Sequence, residues 1–397
     1  MAADDVPSTG PGDPEFNPFA SLPLFGDLAK ALSGQGSLNW DAARQFAALA
    51  ATGGASEPNV DPGVRMAYEQ LAPIVEMHVR DVTGIDSLAA RIELTTSGVW
   101  AQRTLEAYKP LFTQLATSLA QPVDPMRDGS SDDPMYAMMA GLSQMLAPSM
   151  LGMALGSMVG HLAQRAFGQY DLPIPRASTT LLIIASSVDR FADDWSLPVD
   201  QMRLWVVTQE LIGHAVYSHE TVRHTITSLV QQHVAAFRPD PSGISAKLQS
   251  IDMDPSDPMS SLQQAFSDPE ILLGAVRSPE QIRLAPVLDA AIAAVLGYVD
   301  YMADAVAVRL IGGDALRIAE AVRRRRVEAS AEDVFIERLL GLQVTPGQVQ
   351  RGKSFVVGVV DRAGESALAH LFGEGALPTP AEIDAPGLWL ARLELDD

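Results

Sequence analysis

The sequence predicts a mainly α-helical protein with a minor sheet. Three observations carry that expectation. Apolar residues recur at helical spacing through most of the 397 residues. Capping signals (Asn39, Asp61 followed by Pro62, Ser278 followed by Pro279) open several of these stretches. One run alone, STTLLIIASSV, is β-branched and apolar without helical period, and it predicts a strand near Thr180 to Ser186.

Taken in order, residues 1–22 are acidic and rich in Pro and Gly, and their composition is that of a disordered tail. The rest, 23–397, is expected to form a single helical domain. NWDAARQFAALAA starts a helix at the Asn39 cap. DPGVRMAYEQLAPIVEMHVRDVTG runs from its Asp61 cap to a stop at Gly84, and SGVWAQRTLEAYKPLFTQLATSLA follows in the same style. A charged connector, QPVDPMRDGSSDDP, precedes a Met-rich stretch with no Asp, Glu, Lys or Arg between Asp133 and Arg165. That stretch is long enough to span a bilayer. Pro148 interrupts it, however, and Gly152, Gly156 and Gly160 give it a small-residue face suited to close helix packing. A buried core helix is expected, and no membrane span.

Beyond the strand, a helix begins near Pro198 and HETVRHTITSLVQQHVAAF is its partner. Residues 238–262 are rich in Pro, Asp and Ser and predict a long loop. A long helix starts at the Ser278 cap, with a possible kink at Pro286. Further helices are expected over about 314–326, 331–341 and 350–363.

Composition narrows the function. Hydrophobic content of 47% with 19% charged residues belongs to a folded protein. A formal charge of −21 argues against nucleic acid, whose phosphates need a basic surface. The chain has no cysteine, so any zinc would rest on His, Asp or Glu. No basic, apolar leader is visible at the N-terminus, and a cytoplasmic location is expected.

The stretch richest in chemistry is LWVVTQELIGHAVYSHETVRH, Leu204 to His224. A zinc-peptidase helix carries two histidines four apart, so that both imidazoles meet one metal, with a glutamate beside the first to accept a proton from zinc-bound water. Here the glutamate is present and the spacing of histidines is not. His214, His219 and His224 are five apart, which turns each by about 140° from the last.

With YDLPIPR, RLWVVTQELIGHAVY, VLGYVDYMADAV and GKSFVVGVVDRAG, the chain from about Phe25 onward resembles an actinobacterial zincin-like family. Its members are described as zinc-dependent metalloproteases or hydrolases, some linked by name to deazaflavin-cofactor biosynthesis. The resemblance implies a zincin-like fold and a helix reading Trp-Val-x-x-His-Glu-x-x-His, with a ligand glutamate on a later helix. Carried over, Trp205 and Val206 match the frame and Glu210 keeps the general-base position. The ligand positions fall on Gln209, Gly213 and Leu296, while Gly297 and Tyr298 match the residues that follow. The resemblance therefore implies a pseudoenzyme that has lost its zinc, holds no cofactor and binds a protein or peptide partner. In that reading Leu296 packs against Gly213. The alternative is an active metallohydrolase with zinc on displaced ligands, Glu210 and His214 with Asp300 or Asp304.

Two further motifs stand out in the sequence. GQVQRGKS, Gly347–Ser354, satisfies the phosphate-loop pattern but lacks a preceding strand and a following sheet, so a helix is expected in place of a nucleotide site. Arg323–Arg326 ends a helix, and a solvated face is expected there. His78 and His161 stand alone in apolar stretches and are expected to be core or boundary residues.

Overall fold

The computed structural model describes residues 36–85, 90–119, 134–238, 278–327, 335–342 and 344–396, with backbone alone for 134–146. The expected tail at 1–22 lies outside these residues, as does the expected loop at 238–262 beyond Arg238.

The first helix, α1 (Trp40–Thr52), is capped by the Asn39 side chain, which accepts from Ala42 N–H at 3.0 Å. α2 (Pro62–Thr83) is capped by Asp61 and closed by Gly84 in the left-handed conformation, as its sequence predicts. Next comes a strand that apolar content alone did not reveal, β1 (Arg91–Thr95). Its five residues alternate Arg, Ile, Glu, Leu, Thr, a half-buried pattern too short to stand out. Helices α3 (Ser97–Ala107), α4 (Lys109–Leu119) and α5 (Pro134–Arg165) then cross to β2 (Thr180–Ile184).

β1 and β2 pair in parallel, from Arg91 opposite Thr180 to Thr95 opposite Ile184. β2 ends two residues earlier than expected, because Ala185 opens α6 (Ala185–Asp194). Its other side meets the chain at Phe167–Gly168: Gly168 bridges Ile183 antiparallel, and Ile184 N–H donates to Phe167 O at 2.7 Å. That short contact fixes where the following turn, Gln169–Asp171, sits.

α7 (Val199–Ser218) and α8 (Glu220–Ala235) follow as expected, and α9 (Pro279–Ile311) opens on a full capping box at Ser278. α9 is the axis of the molecule. Every residue from Ala290 to Asp300 is buried, and α2, α7, α8 and α12 (Pro346–Ala363) pack round it. Between them run α10 (Ala315–Val327) and α11 (Phe335–Leu339), and α13 (Pro386–Asp396) closes the chain against α12.

Glycines permit the closest crossings. A β-carbon on Gly152 or Gly156 of α5 would run into the backbone of α1 at Asn39 or Ala43. On α12, Gly352 sits against the Ala293 carbonyl, and Gly297 of α9 sits against Gly352. Gly347–Ser354 is therefore helix, and its second glycine is a packing residue. Among the described residues one helical stretch, Pro279–Arg326, is long and apolar enough by composition to cross a bilayer, and most of its apolar window is buried within the protein.

Candidate functional site

Glu210 lies mid-way along α7 and is buried, at 3% exposure. Its carboxylate accepts Gln169 N–H at 2.8 Å and Tyr170 N–H at 3.1 Å. The approach is so close that a β-carbon on Gly168 would collide with the Glu210 side chain. The Gly168 carbonyl, for its part, accepts from the Trp100 indole at 3.0 Å. Glu210 thus clamps the turn that follows α5. Burial pushes the Glu210 carboxyl well above the usual range, Asp171 pushes it further, and the two amides only partly oppose this.

Asp171 caps the same turn from within. One oxygen accepts Phe167 N–H at 2.6 Å and Gly168 N–H at 3.0 Å, and the other accepts from Arg325 at 2.7 Å. Burial alone would raise the Asp171 carboxyl, but Arg325, the two amides and Arg165 together outweigh it and hold it below the ordinary value.

Tyr170 fills the space beside Gly213. A β-carbon there would meet the tyrosine side chain at 3.1–3.3 Å, so the ring that faces Gly213 most closely is Tyr170 and not Leu296 as the sequence suggested. Tyr170 also stacks on Tyr217, with centroids 5.1 Å apart, and its hydroxyl hydrogen-bonds His214 Nδ1 at 3.0 Å. Burial lowers the His214 pKa and raises that of Tyr170. Both shifts favour the neutral forms of the phenol and the imidazole at neutral pH.

Gln209 and Leu296 do come together. Both line a cavity of about 30 Å³, the size of a single water, with Tyr170 and the charged heads of Arg165, Arg325 and Arg326. Two of those heads belong to the run Arg323–Arg326, of which Arg324 is exposed as expected while Arg323, Arg325 and Arg326 turn inward, which corrects the expected solvated face for these three. Arg325 pairs with Asp171 and stacks over Phe167 at 3.5 Å; Arg326 reaches Asp300 at 3.2 Å; Arg323 pairs with Asp304. Each finds a carboxylate half-hidden from water, which draws these three inward. Arg165 is paired with Glu337 at the same place.

The displaced set does not assemble. His214 turns to Tyr170, Glu210 to the main chain, and Asp300 and Asp304 to arginines of α10. Among the described residues no three His, Asp or Glu side chains converge as metal ligands. His78 is half-buried, at the boundary as expected, whereas His161 is exposed, which corrects its expected place in or beside the core.

Beside this cluster runs a groove of about 900 Å³, lined by Tyr108, Ile174, Pro175, His224, Ser228 and Gln231 among others. It joins α4 and α8 across the chain that leaves the Glu210 clamp. Nothing in the sequence marked it, because its walls come from segments far apart in the chain.

The zincin-like metallopeptidase family model matches residues 38–390. A crystal structure from Chloroflexus aurantiacus, described as a proposed hydrolase with a novel fold, matches with a TM-score of 0.59 and 22% identity. The match covers 90% of this chain and 99% of that one. Identity that low speaks to the fold alone. No curated protein matches.

Proposed function

Since the chain belongs to the zincin-like metallopeptidase family, we propose that it is a member that has lost its zinc site and works by binding a polypeptide partner. The observation that carries this reading is the use of Glu210: a general base must reach metal-bound water, and this carboxylate is buried against two main-chain amides. Catalytic zinc takes three protein donors and a water. The places that the family pattern gives to ligands hold Gln209, Gly213 and Leu296, which together offer one neutral amide. The cavity that Gln209 and Leu296 share is lined by Arg165, Arg325 and Arg326, and its two carboxylates, Asp171 and Glu337, are already paired with Arg325 and Arg165. This donor set does not fit zinc.

The partner would lie in the groove between α4 and α8. Its α8 wall carries Thr, Ser, Gln and His groups that suit the main chain of an extended peptide, and its other wall carries Pro110, Leu111 and Pro175 for apolar side chains. The net charge of −21 disfavours nucleic acid, and the cysteine-free acidic chain suits the cytoplasm.

Fluorescein-labelled casein tests both halves of this reading. Binding without cleavage, read as fluorescence anisotropy and by gel, is expected with or without added zinc. Ser228→Trp, which fills the groove, should weaken that binding. Zinc-dependent cleavage that disappears in Glu210→Gln would overturn the proposal, and so would absence of binding.

A further inference from the structure

Zinc in a peptidase site does two things: it activates water, and it holds together the elements that supply its ligands. Only the first needs a metal. In this chain α7, α10 and the Phe167–Asp171 turn meet at the cavity shared by Gln209 and Leu296, where Arg325 and Arg326 of α10 and Arg165 of α5 stand with the carboxylates of Asp171 and Glu337.

We propose that Arg325 is the resident cation of this site: it organises the turn from which the groove's floor departs, and it makes the site refuse a divalent ion. This rests on the reading of a lost zinc site and says what replaced the metal. Three contacts converge on Arg325. Its guanidinium donates to Asp171 at 2.7 Å, and the other oxygen of that carboxylate holds the Phe167 and Gly168 amides. It donates also to the Arg165 carbonyl at the end of α5. Its plane lies 3.5 Å over the Phe167 ring, with Phe191 beyond. One planar group thus ties α10 to both ends of the turn, a task for which a guanidinium is better shaped than an ammonium. Glu210 completes the turn from the other side. The chain then runs directly to Ile174 and Pro175 in the groove.

Arg325 already takes the Asp171 carboxylate, so a second cation would have to compete with its guanidinium for that partner. Restoring ligands alone is therefore insufficient, and Tyr170, which crowds Gly213, must be cut back as well.

The experiment compares two backgrounds. In the first, Gln209→His, Gly213→His, Leu296→Glu and Tyr170→Ala are combined, with and without Arg325→Met, and zinc is titrated by calorimetry into each folded variant. The Arg325→Met version should bind zinc about tenfold more tightly or better, as removal of a near cation in a poorly solvated site predicts. Equal affinities would overturn the role of Arg325 and leave the lost-site reading standing; stoichiometric zinc in the native protein would overturn that reading itself. In the second, the native chain carries Arg325→Met, Asp171→Asn, or both. The double variant should melt above Arg325→Met alone, because it leaves no uncompensated carboxylate. Hydrogen exchange at the Phe167 and Gly168 amides should accelerate in Arg325→Met and recover in part in Arg325→Lys. A double variant no more stable than Arg325→Met, with unchanged exchange, would also refute the proposal.

Discussion

Glu210 ties the middle of α7 to the turn after α5 through two main-chain amides. The carboxylate is surrounded by protein, and its raised pKa follows first from burial and then from Asp171. A carboxyl whose folded pKa lies above its unfolded value stabilises the fold fully in acid, and that contribution is lost as pH rises through the folded pKa. Between the two values each pH unit costs about 1.4 kcal/mol. Glu210→Gln keeps the oxygen that accepts the Gln169 and Tyr170 amides and removes the ionisation. The variant should match the native protein in acid and melt progressively higher than it as pH rises. Melting curves across pH decide the matter, and a variant destabilised by the same amount at every pH would contradict this account. The residue itself was legible in the sequence through its tryptophan-valine frame. Its partners were not, because hydrogen bonds to amides 40 and 41 residues away leave no periodic mark. The same holds for Arg323, Arg325 and Arg326, whose carboxylates at Asp304, Asp171 and Asp300 become neighbours only when the helices pack.

At the scale of elements, the crossing of α9 and α12 is where sequence motif and structure part most clearly. Gly347–Ser354 spells a phosphate loop, yet it forms the first turns of α12, and Gly352 is required because α9 backbone lies where its β-carbon would go. Gly352→Val should therefore cost about 3 kcal/mol or more, or prevent folding. Lys353→Ala, at an exposed position, should change stability by less than about 0.5 kcal/mol. Chemical denaturation measures both, and magnesium-dependent ATP binding lost in Lys353→Ala would restore the nucleotide reading. The helices themselves were readable because their signals are local: Asn39, Asp61 and Ser278 each cap the helix predicted from them. β1 was missed for the opposite reason. Five alternating residues acquire meaning only beside β2, which arrives after three intervening helices.

Across the whole molecule, the long buried helix α9 and the helices round it form the frame of a zincin-like metallopeptidase, and the family match runs from residue 38 to 390. Within that frame Gln209 and Leu296 share a small cavity with Arg165, Asp171, Arg325, Arg326 and Glu337, while Tyr170 covers Gly213. The most direct test is zinc content, determined by elemental analysis on native protein purified without a metal-binding tag. The account predicts far less than one zinc per chain, unchanged by Glu210→Ala or His214→Ala. One zinc per chain that is lost in either variant would show a working metal centre built on displaced ligands, and the account would be wrong.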